Sequence, residues 1–209
     1  FEKSYSNSIY IDVGENVGST ALPLALHNQK IDVHAFEPNP SIFKILNINK
    51  SQNNCDNLFL YNSAVSSKKE KSTFFITQKK QANFGVSSLQ DNNDILESKS
   101  IDVDVIKLDD FFENSKKTIS LIKVDVQGFE WQVIQGARNI IIKYKPTIIF
   151  EHDDQYLSES IKVKQELKNF FKENEYEVFV IDPNDYLKLK IVDWEKNLKA
   201  NLIALKIRP

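Results

Sequence analysis

The chain has 209 residues, of which 41% are hydrophobic and 27% charged, and it carries a formal net charge of -2. That length suffices for one sizeable core, and the composition excludes a disordered or fibrous chain. The slightly acidic balance gives no global positive field to gather a nucleic acid backbone or an anionic membrane surface, so a small or neutral partner is expected.

The single cysteine, Cys55, has no intramolecular partner for a disulfide, and no Cys/His spacing resembles a zinc site. A reducing, cytoplasmic setting and no bound metal are the corresponding expectations. No apolar run approaches the roughly 20 residues that cross a bilayer, and the opening FEKSYSNS has no signal-peptide core, so a soluble protein without a membrane span is expected. The chain lacks methionine and begins just ahead of a strand-like segment, which reads as one domain, residues 1–209, cut from something longer.

In chain order, Ser8–Val13 (SIYIDV) reads as a buried strand ending at Gly14. Val17–Leu26 has helical composition, with Pro23 expected to kink it beyond its first turn. Ile31–Phe36 is a second strand, after which Asn39 and Pro40 supply an N-cap and a proline at the first position of a helix over residues 40–49. Leu58–Val65 is a third strand, followed by strand-like Thr73–Ile76 and by Ile101–Val105, where apolar residues alternate with Asp102 and Asp104. The intervening polar stretch, Lys68–Ser100, is expected to cover the acceptor pocket. Its lysines, Lys68, Lys69, Lys71, Lys79 and Lys80, are broken by Glu70 and read as a solvated face.

Thr118–Val126 is a further buried strand, Phe129–Ala137 a helix and Thr147–Phe150 a strand. Apolar residues at helical spacing (Val163, Leu167, Phe170, Phe171) mark a helix from Ser158 to Lys172, and Glu177–Ile181 with Leu202–Ile207 read as a closing antiparallel pair. Strands alternating with helices predict an α/β fold, a mostly parallel sheet covered on both faces with its ligand site at the carboxyl ends of the strands.

The first such end carries Asp12-Val13-Gly14-Glu15-Asn16-Val17-Gly18. Gly14 would let backbone approach a ligand, Asn16 tolerates positive φ and Gly18 permits close helix packing. The spacing differs from the G-x-G-x-x-G turn of dinucleotide sites, which weighs against a nicotinamide oxidoreductase. Negative charge on Asp12 and Glu15 would repel phosphates and suit the ammonium and sulfonium groups of S-adenosylmethionine. Glu37, ending the second strand, can accept hydrogen bonds from both ribose hydroxyls.

Lys123 to Glu130 (KVDVQGFE) puts Asp125 at the end of the central strand and Glu130 in the first turn of the next helix. Asp125 could orient a substrate hydroxyl, take its proton, hold the cofactor's amino group, or simply cap that helix. Glu151 and His152 follow the strand TIIF, where either could accept a proton.

Taken in order, IDVGENVGS, HAFEPNP, LDDFF, LIKVDVQGFEWQVIQGA and KPTIIFEH resemble the FkbM family of S-adenosylmethionine-dependent methyltransferases, over Ile11 to His152. The resemblance implies a Rossmann-like class I methyltransferase fold, a seven-stranded, mostly parallel sheet with helices on both faces and an antiparallel C-terminal edge strand. It implies O-methylation of a hydroxyl on a sugar, polysaccharide or polyketide-type small molecule. Asp12, Gly14, Asn16 and Gly18 would then form the loop at the methionine end of the cofactor, with Glu37 and Pro38 at ribose and adenine. Asp125 and Glu130 would lie near the transfer site. Enzymes of this general fold also border adenine with the end of the third strand, here Ser63 and Ala64. Two residues depart from the family pattern: Gln127, where glutamate is frequent, and Glu15, where a small residue is common. The rival from another class is a binding module that keeps S-adenosylmethionine but has lost transfer.

Overall fold

The structure, a computed structural model, describes residues 7–77, 87–88, 98–154, 160–186 and 188–207. The first half of the chain supplies β1 (Ser8–Val13), α1 (Ala21–His27), β2 (Asp32–Phe36), α2 (Pro40–Asn53), β3 (Leu58–Tyr61), β4 (Ala64–Val65), β5 (Glu70–Thr77), β6 (Ser87–Ser88) and β7 (Ser98–Ile106). There follow α3 (Leu108–Phe111), β8 (Thr118–Val124), α4 (Glu130–Gly136), α5 (Arg138–Tyr144), β9 (Thr147–Asp153), α6 (Ser160–Glu173), β10 (Tyr176–Ile181), β11 (Leu189–Ile191) and β12 (Lys199–Lys206). Of the polar stretch expected to cover the acceptor pocket, residues 78–86 and 89–97, Lys79 and Lys80 among them, lie outside the described residues.

An eight-stranded sheet runs β11-β10-β12-β9-β8-β1-β2-β3, with β3, β2, β1, β8 and β9 parallel. This is the expected α/β architecture, with two corrections. The sheet has eight strands instead of seven, because Leu189–Ile191 adds an antiparallel strand beside β10. The reversed C-terminal strand is not the edge: β12 inserts between β10 and β9, antiparallel to both. Its central residues Leu202 and Ala204 are fully buried, as an interior position requires. The expected third strand Leu58–Val65 is also two elements, since β4 leaves the main sheet and joins a smaller one ordered β4-β7-β5-β6.

Both faces of the main sheet are covered. Every residue of β1 is buried, and its side chains alternate between two cores. Ile9, Ile11 and Val13 join Val133, Ile134, Ile140, Ile141, Leu167 and Phe171 from α4, α5 and α6. Tyr10 joins Ala21, Leu22 and Ala25 of α1 on the other side. A groove of about 760 Å³, lined by Tyr10, Leu24, Leu121, Thr147 and Ile149 among others, opens on the α1 face toward the amino ends of β8 and β9. No helix among the described residues is long and apolar enough to cross a membrane.

Several sequence signals prove to be packing devices. A Cβ on Gly136 would lie 2.1 Å from the carbonyl oxygen of Ser66, so glycine there lets α4 sit against the chain leaving β4. Asp109 accepts from the amides of Asn139 and Ile140 at 2.9 and 3.0 Å, which caps the start of α5 from the distant α3. Pro23 does not kink a helix. Residues 17–20 form a turn, α1 begins only at Ala21, and Pro23 therefore falls in the first turn, where its missing N–H breaks no intrahelical bond.

Candidate active site

The parallel strands β1, β2, β8 and β9 end along one side of the sheet, and the turns that follow them form the candidate site. Gly14 (φ +84°), Asn16 (φ 61°) and Gly18 (φ +104°) all hold left-handed backbone in the first turn. The space beside Gly14 is filled by protein: a Cβ there would meet the Asp125 carbonyl oxygen at 2.0 Å. Gly14 thus lets the turns after β1 and β8 touch, and the Asp125 amide donates to Val13 O at 2.9 Å. Gly18 serves helix packing as expected, its Cβ position lying 2.3 Å from Leu22 Cδ1 and 3.1 Å from Leu46 Cδ1.

Asp12 and Glu15 do not present their charge to a ligand, contrary to the sequence-based expectation. Asp12 is 0% exposed; it accepts from the Tyr10 hydroxyl at 2.6 Å and from Lys123 Nζ at 3.1 Å. Glu15 Oε1 accepts from the amides of Thr20 and Ala21 at 3.0 and 2.9 Å, capping α1. Its Oε2 is buried and finds no donor. Burial, and then the neighbouring Asp12, push this carboxyl up to about 9, so at neutral pH Glu15 carries a proton and holds it beside Asp12. A neutral Glu15 and an Asp12 paired with Lys123 leave the turn without the expected negative charge.

Glu37 sits differently. It is 7% exposed, with Oε2 accepting from the Asn16 amide at 3.0 Å and Oε1 from the Asn39 amide at 2.8 Å. It ties the first turn to the start of α2, and burial raises its pKa. Each oxygen keeps a lone pair for a further donor. Asn62 Nδ2 donates to the carbonyls of Glu37 and Pro38 at 2.8 and 3.0 Å, fastening the end of β3 to this corner. Ser63 and Ala64, next along, are both buried, Ala64 in the small core of the second sheet.

At the end of β8 the side chain of Asp125 is 44% exposed, with Lys123 Nζ 3.7 Å from its Oδ2. Lys123, opposite Asp12 in the β1–β8 register, bridges both aspartates. Burial works against its charge, but Asp12 and Asp125 outweigh this and raise its pKa. Glu130 is 5% exposed and turns back onto its own loop, accepting from the amides of Gly128 at 3.1 Å and Val126 at 3.3 Å. Burial pushes it up to about 7. The geometry makes Glu130 the residue that shapes the loop.

Adjacent residues on β9 part company, because successive strand side chains face opposite sides. Glu151 faces the Asp125 loop: Gln127 Nε2 donates to Glu151 Oε2 at 3.2 Å. Burial, then Asp125 and Asp153, raise its pKa. His152 is 2% exposed and pairs instead with Asp154 Oδ1 at 3.1 Å, while burial lowers its pKa. The turns thus set Gly14 against Asp125, Asn16 against Glu37 and Gln127 against Glu151, along one end of the parallel strands, while His152 turns to Asp154 instead. Tyr10 and Lys123 are functional-site neighbours that sequence reasoning passed over. A lysine inside an apolar strand, two residues before Asp125 and so on the same face, was the available signal.

A family model described as the methyltransferase FkbM domain matches residues 12–178. The chain belongs to this family. Solved structures agree on the fold. The FkbM methyltransferase of Methylobacillus flagellatus KT superposes with a TM-score of 0.59 at 15% identity, over 95% of this chain but 43% of that one. The chain thus spans less than half the length of that protein. SMU.1697c of Streptococcus mutans, solved in complex with SAH, gives 0.52 at 12% identity over 97% of this chain and 90% of its own. Cofactor-bound Rv0187 from MTB gives 0.53 at 10% identity, over 97% and 74%. No curated protein matches the chain. For an FkbM domain, the described geometry suits S-adenosylmethionine in one concrete respect: Glu37 is a nearly buried carboxylate whose oxygens each retain acceptor capacity beside the first turn.

Proposed function

We propose that this FkbM domain binds S-adenosylmethionine and methylates a hydroxyl on a sugar, polysaccharide or polyketide-type small molecule. The observation that carries the reading is the placement of Glu37 on one side of the first turn and of Asp125 and Glu151 on the other. One carboxylate is thereby available to ribose and two to an acceptor.

In this reading Glu37 accepts from the ribose hydroxyls, and Pro38 and Ser63 border the adenine, while Ala64 is packed in the core of the second sheet. The backbone of the Gly14–Gly18 turn holds the methionine end, with Asp125 the exposed carboxylate beside it. When bound, S-adenosylmethionine supplies a methyl carbon that bonds to the acceptor oxygen while the carbon–sulfur electron pair stays on sulfur. A hydroxyl is a weak nucleophile until its proton is leaving, and alignment supplies much of the remaining rate. Glu151 takes that proton: its raised pKa makes it a stronger base than an ordinary carboxylate. Asp125 orients the hydroxyl, and Glu130 keeps the loop in shape. His152, on the opposite side of β9, takes no part.

The test is incubation with methyl-labelled S-adenosylmethionine and a panel of monosaccharides, oligosaccharides and hydroxylated aromatic compounds, with products identified by mass spectrometry. Oxygen-linked methyl in product, lost in Glu151→Gln, supports the assignment. Label on nitrogen, or tight cofactor binding with no transfer to any acceptor, would sink it, the second outcome pointing to a binding module.

A further inference from the structure

The loop after β8 holds two consecutive residues in left-handed backbone, Gln127 at φ 53° and Gly128 at φ 95°. Glycine adopts this freely, whereas for glutamine it costs roughly 1–2 kcal/mol. Such strain persists only where the surroundings fix it, and it collects at functional sites. Here Glu130 fixes it from below, through the amides of Val126 and Gly128 on either side of Gln127. The outcome is a side chain that crosses from this loop to β9, where its amide meets Glu151 Oε2. Among the described residues, Glu151 Oε1 makes no hydrogen bond.

We propose that Gln127 is a positioning residue for methyl transfer, its side-chain amide holding one oxygen of Glu151 so that the other stays open to the acceptor's proton. This rests on the reading in which Glu151 is the base. In the transfer step the acceptor O–H bond breaks, its proton passes to Glu151 Oε1, and the oxygen would bond to the methyl carbon as the carbon–sulfur bond breaks and its electron pair leaves on sulfur. The identity of residue 127 then matters directly. The family often carries glutamate there; two carboxylates at the Gln127–Glu151 separation of 3.2 Å would share a proton and titrate as a pair. A neutral amide donates instead, and leaves Glu151 able to ionise by itself.

The groups around Glu151 are specified. Asp125 from the β8 loop and Asp153 further along β9 disfavour its charge, and Lys199 from β12 and Gln127 favour it. Glu130 of α4 also feels its charge. Opposite it on β12 stands uncharged Asn201. Of these, Gln127 is the contact that substitution can change without altering a charged partner.

The experiment is a carboxyl carbon NMR titration of protein labelled at glutamate, with Glu151→Gln identifying the Glu151 signal. Gln127→Glu and Gln127→Gly are compared with the parent. Gln127→Gly suits the left-handed backbone, so it folds even where Gln127→Glu does not. Loss of the amide in Gln127→Gly raises the Glu151 midpoint by about half a pH unit, and Gln127→Glu raises it by about one unit or more with a two-step curve. Midpoints that coincide within about 0.2 unit in the parent and in Gln127→Gly would overturn the proposal, since a loop spacer would leave the titration where it was. The readout needs neither cofactor nor turnover, so it is separate from the test of methyl transfer itself.

Discussion

Replacing Glu15 by glutamine is expected to stabilise the protein, and only above acidic pH. In the native fold Glu15 caps α1 through Oε1 and holds its proton beside Asp12, its pKa pushed up to about 9 from an ordinary 4.5. Unfolded, the same side chain ionises above about pH 4.5. Between these values the native state binds a proton that the unfolded state does not, so stability falls as pH rises. The contribution is whole below the unfolded pKa and is lost progressively towards the folded one. The slope is about 1.4 kcal/mol per pH unit, so the parent loses up to about 3 kcal/mol between pH 4.5 and pH 7. Glutamine reproduces both contacts, its carbonyl accepting from Thr20 and Ala21 and its amide donating to Asp12, without a titrating proton. Urea denaturation at pH 4.5, 6, 7 and 8 checks this. Glu15→Gln and parent should match at the lowest pH, and the variant should gain steadily above it at unchanged denaturant slope. A variant less stable at pH 8, or a difference that does not vary with pH, would refute the shared-proton arrangement.

Gly14→Ala should cost about 2–3 kcal/mol in the same denaturation assay: about 1–2 for a side chain at positive φ, and about 1 for the Asp125 amide bond to Val13 as the two turns separate. A loss below about 0.5 kcal/mol would show that the turns do not touch as described. Asp125→Ala should retain cofactor affinity within a few-fold while turnover falls about a hundredfold, measured as initial rate on the acceptor found by screening; near-normal turnover counts against its place at the acceptor. His152→Asn should lose about 1–2 kcal/mol with the Asp154 contact yet bind S-adenosylhomocysteine within about twofold of the parent. A large loss of affinity at unchanged stability would return His152 to the site.

Much of this fold is written in local pattern. The wholly buried β1, the Asn39 cap that accepts from Ser41 and Ile42, and the Leu167–Phe170–Phe171 stripe of α6 all appear where residue types require them. What local pattern hides is long-range. Leu189–Ile191 is exposed throughout and only three residues long, so nothing in its composition announces an eighth strand. The insertion of β12 between β9 and β10 is a matter of pairing over some fifty residues, and no periodicity encodes it. The start of α1 is hidden from local pattern because its cap comes from Glu15, ahead of the turn, and not from a residue at the helix boundary. The charge of Asp12 and Glu15 misleads because Lys123, the counter-ion of Asp12, comes into register only in the folded sheet, while Glu15 turns back to cap α1. The split between Glu151 and His152 follows from β9 running on to Asp153, past the expected strand end at Phe150, so that the two neighbours face opposite sides.

The most direct test of the central claim is isothermal titration of the parent and Glu37→Ala with S-adenosylhomocysteine, with NAD as a control ligand. Saturable binding of S-adenosylhomocysteine alone, weakened about tenfold or more in Glu37→Ala as charge-assisted hydrogen bonds to ribose are lost, is the predicted result. Equal affinity in the two proteins, or binding by neither, would contradict the assignment of this crevice as the cofactor site.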